Sequence, residues 1–109
     1  MAFDDRLAER VRRRLRKREG VSERKMFGGL AFLLNGHMCC GVHQRELIVR
    51  LDPAMADQAL VRPHTRVFDL SGRALKGWLL VASAGVKEDK DLARWVRIAA
   101  DYASSLPPK

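Results

Sequence analysis

Apolar residues recur at every fourth position from Phe3 through Leu7 and Val11 to Leu15. That spacing aligns one stripe on a helix, so a helix is expected from Ala2 to about Arg18. Asp4 and Asp5 fall in its first turn, and seven of the nine residues from Arg10 to Arg18 are basic. Both charge placements suit the helix dipole, and Gly20 is expected to stop the helix.

The pattern then changes. From Arg24 to Val42 the chain is dense in apolar residues and holds four of its eight glycines and both cysteines. Val21 to Arg24 leads into a sheet, and Lys25, Met26 and Phe27 are expected as a short strand. Gly28 and Gly29 mark a bulge or tight bend. Leu30–Leu34 and Met38–Val42 are two further strands. Asn35 and Gly36 between them accept positive φ, so they predict a tight hairpin turn. Residues 46–51 alternate, with Leu47, Val49 and Leu51 on one face and Ile48 and Arg50 on the other, the half-buried antiparallel pattern. His43, Gln44 and Arg45 form the polar turn before them.

Asp52 and Pro53 open a second helix as cap and first helical residue, and it is expected to run to about Val61. Arg66–Asp69 is a short extended piece, Ser71 to Arg73 a turn, and Leu75–Ala82 another strand. Gly77 inside that strand predicts a bulge or a neighbour packed close. After a loop over 83–88, a helix starts at Asp89 or Asp91 and runs to Ser104 or Ser105. Its apolar arc is Leu92, Trp95, Val96, Ala99, Tyr102, Ala103 and Leu106. The expected architecture is a single α+β domain over 1–109. It has two layers, an antiparallel sheet of five to six strands with three helices, in the order α-β(3-4)-α-β(2)-α.

Size and charge bound the function classes. A chain of 109 residues buries roughly two thirds of its unfolded surface, enough for a core without staples. No stretch approaches the roughly 18 apolar residues of a membrane helix, and no apolar signal region opens the chain. A cytoplasmic protein with reduced cysteines and no membrane contact is expected. The formal charge of +8 favours acidic partners, nucleic acid among them. Arg10, Arg12, Arg13, Arg16 and Lys17 fan over the outer face of the first helix, with Arg14 and Arg18 nearer its apolar stripe. They are read either as phosphate-backbone contacts or as a solvated face.

Reactive chemistry finds little support. On a regular strand His37, Cys39 and His43 share a face and Cys40 points the other way. The four-ligand spacing of structural zinc is missing, and so is a nucleophile elbow. A pairing of Cys39 with His64 stays open, because such partners meet in space. Trp78 and Trp95 fit core packing better than base stacking. No catalytic residue, metal ligand or cofactor is expected, and the chain is not read as an enzyme.

The run from Arg24 to Phe32 (RKMFGGLAF), with Gly36 and Met38, resembles the opening of the TfoX/Sxy N-terminal domain. Gly72 and Arg73, then Lys76, Gly77 and Trp78, resemble its second half, as do Trp95, Val96, Ala99, Tyr102 and the closing residues to Lys109. The motif residues Met26, Phe27, Gly28, Gly29, Gly36, Gly72, Gly77 and Trp78 are read as scaffold. The resemblance implies a two-layer α+β fold similar to type III secretion chaperones. It also implies a link to competence regulators that act with the cAMP receptor protein. The full-length regulators carry a second, helical domain, and this chain ends at Lys109. From the full-length resemblance and the lack of a reactive constellation, the domain is expected to bind a partner, either protein of the transcription machinery or itself as a homodimer. Direct nucleic-acid binding through the first helix is the alternative, and a small-molecule cleft near Gly28, Cys39 and His64 the third reading.

Overall fold

A computed structural model of the chain describes residues 3–26, 28–70 and 73–107, without the side chains of 70, 73 and 74. Phe27 and Gly72, and the turn expected at Ser71 to Arg73, lie outside the described residues or rest on them.

The first helix, α1, is Asp5–Leu15, shorter at both ends than its periodicity suggests. Asp4 is the cap and not part of the first turn: its carboxylate accepts from the N–H groups of Arg6 (2.9 Å) and Leu7 (3.2 Å). Phe3 is drawn out of helical register into a bridge with Gln44. Beyond Leu15, a turn in which the Arg18 N–H donates to the Leu15 carbonyl replaces helix. Gly20, at φ +78°, lies past that turn and feeds the first strand.

Four strands follow: β1 Val21–Met26, β2 Gly29–Leu34, β3 His37–His43 and β4 Glu46–Arg50. Val21 to Met26 is one continuous strand and not a lead-in followed by a shorter piece. Asn35 (φ 54°) and Gly36 (φ 87°) make the hairpin turn between β2 and β3. Helix α2 is Pro53–Ala59, capped by Asp52, whose carboxylate accepts from the Ala54 N–H at 3.0 Å. Strands β5 Thr65–Leu70 and β6 Arg73–Val81, a 3-10 turn Ser83–Gly85 and helix α3 Asp89–Ser105 complete the chain.

The strands form one antiparallel sheet in the order β1-β2-β3-β4-β6-β5. All three helices pack on one face, over a core that includes Val11, Phe32, Val42, Val49, Leu79, Leu92 and Ala99. The other face is apolar as well: Ala31, Leu33, Met38, Ile48, Phe68 and Leu80 form a second cluster, with Leu75 and Trp78 against it. The central strands are thus buried on both sides. That is why β2 reads as an unbroken apolar run rather than an alternation. On this second face Arg66 reaches across β6 to pair with Glu46 through both carboxylate oxygens.

The cysteines depart from simple alternation. Leu33 pairs with Met38 and Phe32 with Cys40, so β3 carries one extra residue at this point. A bulge turns consecutive side chains toward the same side. Cys39 and Cys40 therefore both join the core beneath the helices, with their Sγ atoms 3.6 Å apart. The expectation that Cys40 faces away from Cys39 is overturned by this one added residue.

Candidate functional site

The described glycines of the motif shape turns and close backbone approaches. Met26, at the end of β1, pairs with Gly29, the first residue of β2. Gly28 between them has φ +74° and no atom within 4 Å of where a Cβ would stand, so it serves the turn and cradles nothing. Gly77, at φ +86°, is different. Its carbonyl accepts from the Leu51 N–H at 2.8 Å, and a Cβ on it would stand 2.7 Å from the Leu51 carbonyl oxygen. Glycine is required there because β6 passes this close to the end of β4. Trp78 follows, half-buried on the second face. Its ring centroid is 6.2 Å from that of Phe68 and 5.5 Å from the Arg50 guanidinium.

The basic helix divides into two groups. Arg10 is tied down: one guanidinium nitrogen donates to the carbonyls of Val86 (2.8 Å) and Lys87 (3.2 Å) and to the Asp89 carboxylate (3.1 Å). It staples α1 to the segment leading into α3. Arg12 grips Glu23 of β1 through two hydrogen bonds, at 2.6 and 2.8 Å, and Glu9 at 2.6 Å. These contacts raise the Arg12 pKa and lower those of Glu23 and Glu9, in each case chiefly through the hydrogen bonds. Arg18 pairs with Asp101 at 2.7 Å. Arg13 is 3.6 Å from Glu9 and stays exposed, and Arg14 is exposed as well. Arg16 and Lys17 are exposed and make no ion pair among the described residues. Of the five expected contact residues, Arg13, Arg16 and Lys17 remain available, and Arg10 and Arg12 hold the fold together.

The groups proposed for a cleft do not meet. Gly28 lies in the turn at one outer strand and His64 precedes the other, and these strands are about 24 Å apart at five spacings of about 4.8 Å. Cys39 is buried between them with 1% of its surface exposed. His37 is engaged elsewhere, its Nε2 2.6 Å from the carbonyl oxygen of Pro107. Among the described residues no three His, Cys, Asp or Glu side chains gather as metal ligands. No described helix is long and apolar enough to cross a membrane.

The model of the TfoX N-terminal domain family matches residues 13–103. The chain belongs to that family. No curated protein and no solved structure matches it. Within this TfoX N-terminal domain the matched span runs from Arg13 in α1 to Ala103 in α3. It therefore takes in the whole sheet and both glycine segments.

Two surfaces that sequence reading missed stand out on the structure. Among the described residues, Met55, Val61 and Val67 are three of the four exposed large hydrophobics, at 44%, 87% and 44% exposure. Val67 lines a groove of about 270 Å³ between α2 and the β5–β6 hairpin, walled also by Ala56, Leu60, Leu75 and Trp78 with Asp57 and Lys76. The second is a polar hollow of about 340 Å³ beside the start of α3, lined by Arg62, His64, Asp91, Arg94 and Trp95. Val61, Val67, Arg62 and Arg94 carry no local sequence signal, because only the packing of α2 and α3 against the last hairpin gathers them.

Proposed function

We propose that this TfoX N-terminal domain is a non-enzymatic regulatory module of the cytoplasm. It acts through contact with a protein, either a component of the transcription machinery or a second copy of itself. The observation that carries the reading is the asymmetry of the two sheet edges. The β1 edge presents Ser22, Glu23, Arg24 and Lys25, all exposed, with Met26 at its end. Charged edges discourage strand addition. The opposite edge, β5, exposes Val67 on the wall of the groove, between the charged Arg66 and Asp69, and Met55 of α2 and Val61 just after that helix are exposed as well. Apolar surface gathered at one edge and rimmed by polar groups is the usual mark of a protein contact. The buried thiols and the family membership support a binding role over reaction chemistry.

The test is light scattering and affinity capture with the intact chain and a Val61→Asp, Val67→Asp variant. Self-association or a captured transcription protein, lost in the variant, is the expected result. A monomer that captures nothing, with or without the substitutions, refutes the reading.

The second reading, direct nucleic-acid binding, is favoured by one observation: Arg13, Arg16 and Lys17 stay exposed on the outer face of α1. Reversing Arg16 and Lys17 should then weaken binding and lower its log–log salt slope by about 1.8 for duplex, at about 0.9 per phosphate contact. An unchanged slope disposes of it.

A further inference from the structure

The hollow beside α3 draws nitrogen-bearing side chains from three separate parts of the chain. Arg62 comes from the turn after α2, His64 from the residue before β5, and Arg94 from the second turn of α3. The Arg62 guanidinium lies 5.6 Å from the centroid of the Trp95 ring, and both residues line the hollow. Arg94 is exposed and pairs with no acid among the described residues, and Asp91 in the same wall is likewise without an ion pair.

His64 is held in place at a conformational cost. Its φ is +68°, a left-handed backbone that side-chain-bearing residues rarely take. Its carbonyl accepts from the Ala82 N–H at 2.8 Å. A Cβ on Gly85 would stand 3.0 Å from His64 Cβ and 2.7 Å from Val81 Cγ1. Glycine at 85 is thus what leaves room for His64. Strained residues of this kind persist where surrounding structure over-determines them, and they cluster at functional sites.

We infer that this hollow is a binding site for a small phosphomonoester, a ligand that neither reading above requires. Two guanidiniums and an imidazole N–H suit the several oxygens of a phosphate, which guanidinium groups recognise through paired donors. The Asp91 carboxylate is an acceptor only, so it selects a ligand that also carries hydroxyl or amino donors. A volume of about 340 Å³ falls within the range of small-molecule sites, about 300–1,000 Å³. A sugar phosphate or a nucleoside monophosphate has that combination of groups and size.

Titration of the full chain with ribose 5-phosphate, inorganic phosphate, ribose and succinate tests the proposal. Trp95 fluorescence, read in a Trp78→Phe background, reports occupancy because Arg62 lies against that ring. Ribose 5-phosphate should bind more tightly than phosphate, and ribose and succinate should give no saturable change. Arg94→Gln should weaken both phosphate ligands by about tenfold or more. Asp91→Asn should remove the preference for the sugar phosphate and leave phosphate itself unaffected. His64→Gly, which frees the left-handed backbone, should keep the melting temperature while weakening binding. No saturable signal from either phosphate ligand into the millimolar range overturns the inference. Succinate binding as tightly as the sugar phosphate, or affinity unchanged in both Arg94→Gln and Arg62→Gln, overturns it as well.

Discussion

Gly20 and Asn35, both at positive φ, lock the entry of β1 onto the β2–β3 turn. The Asn35 N–H donates to the Gly20 carbonyl at 3.0 Å, and a Cβ on Gly20 would stand 2.2 Å from Asn35 Oδ1. Three glycines can therefore be ranked. Gly28→Ala meets no atom within 4 Å and should lose only the left-handed penalty, about 1–2 kcal/mol. Gly20→Ala adds the displacement of a mobile amide and should cost slightly more. Gly77→Ala meets the Leu51 carbonyl, which is backbone and cannot swing away, and should cost about 3 kcal/mol or more. Urea unfolding of the three variants checks the order.

Arg10 and Lys17 lie on the same helix and should behave in opposite ways. Arg10→Ala leaves the Val86 and Lys87 carbonyls without their donor and should destabilise by about 1.5–3 kcal/mol, the range for hydrogen bonds to charged groups. Lys17 is exposed and has no ion pair among the described residues, so Lys17→Ala should fall within about 0.5 kcal/mol of the parent. Thermal unfolding distinguishes the two.

The Arg12 hub makes stability depend on pH. Glu23 and Glu9 have folded pKa values below the ordinary 4.5, chiefly because each accepts hydrogen bonds from Arg12. A depressed carboxylate stabilises the fold above its unfolded pKa, and that contribution fades as pH falls through the folded value. The Arg12–Glu23 pair is partly exposed, so its worth is at most about 1 kcal/mol. Melting temperature should fall as pH drops below 4.5, and the fall should be shallower in Glu23→Gln than in the parent.

The thiols should be silent in the native state. The hydrogen bond shared between the two thiols and then complete burial push the Cys40 pKa well up. Because the thiolate is the reactive species, a thiol reagent at pH 8 should label neither cysteine until denaturant is added, and both afterwards. Cys40→Ser buries a hydroxyl in a core position with 0% exposure and should cost about 1–3 kcal/mol. Cys40→Ala should cost less.

Much of the fold was legible because its signals are local. Asn35–Gly36, Asp52–Pro53 and the apolar arc of α3 each satisfy a short-range rule, and six strands and three helices follow in the expected order. The ends of α1 were not legible: Phe3 leaves the helical stripe for a bridge to Gln44, a partner 41 positions away by number. The facing of the cysteines was misread because a bulge is set by the neighbouring strand's register. The basic run was visible as a run, but which of its members are free depended on where Glu23, Val86 and Asp89 came to lie.

By itself, the sequence determined the elements, their order, the hairpin at Asn35–Gly36 and the family to which the chain belongs, since periodicity, caps and turn residues act over a few positions. Only the tertiary structure decided that Arg10 and Arg12 are fastenings, that both thiols lie under the helices, and that Arg62, His64 and Arg94 line one hollow. The physical reason is distance along the chain. A side chain's partners are chosen when separate elements pack, and no local pattern records that choice.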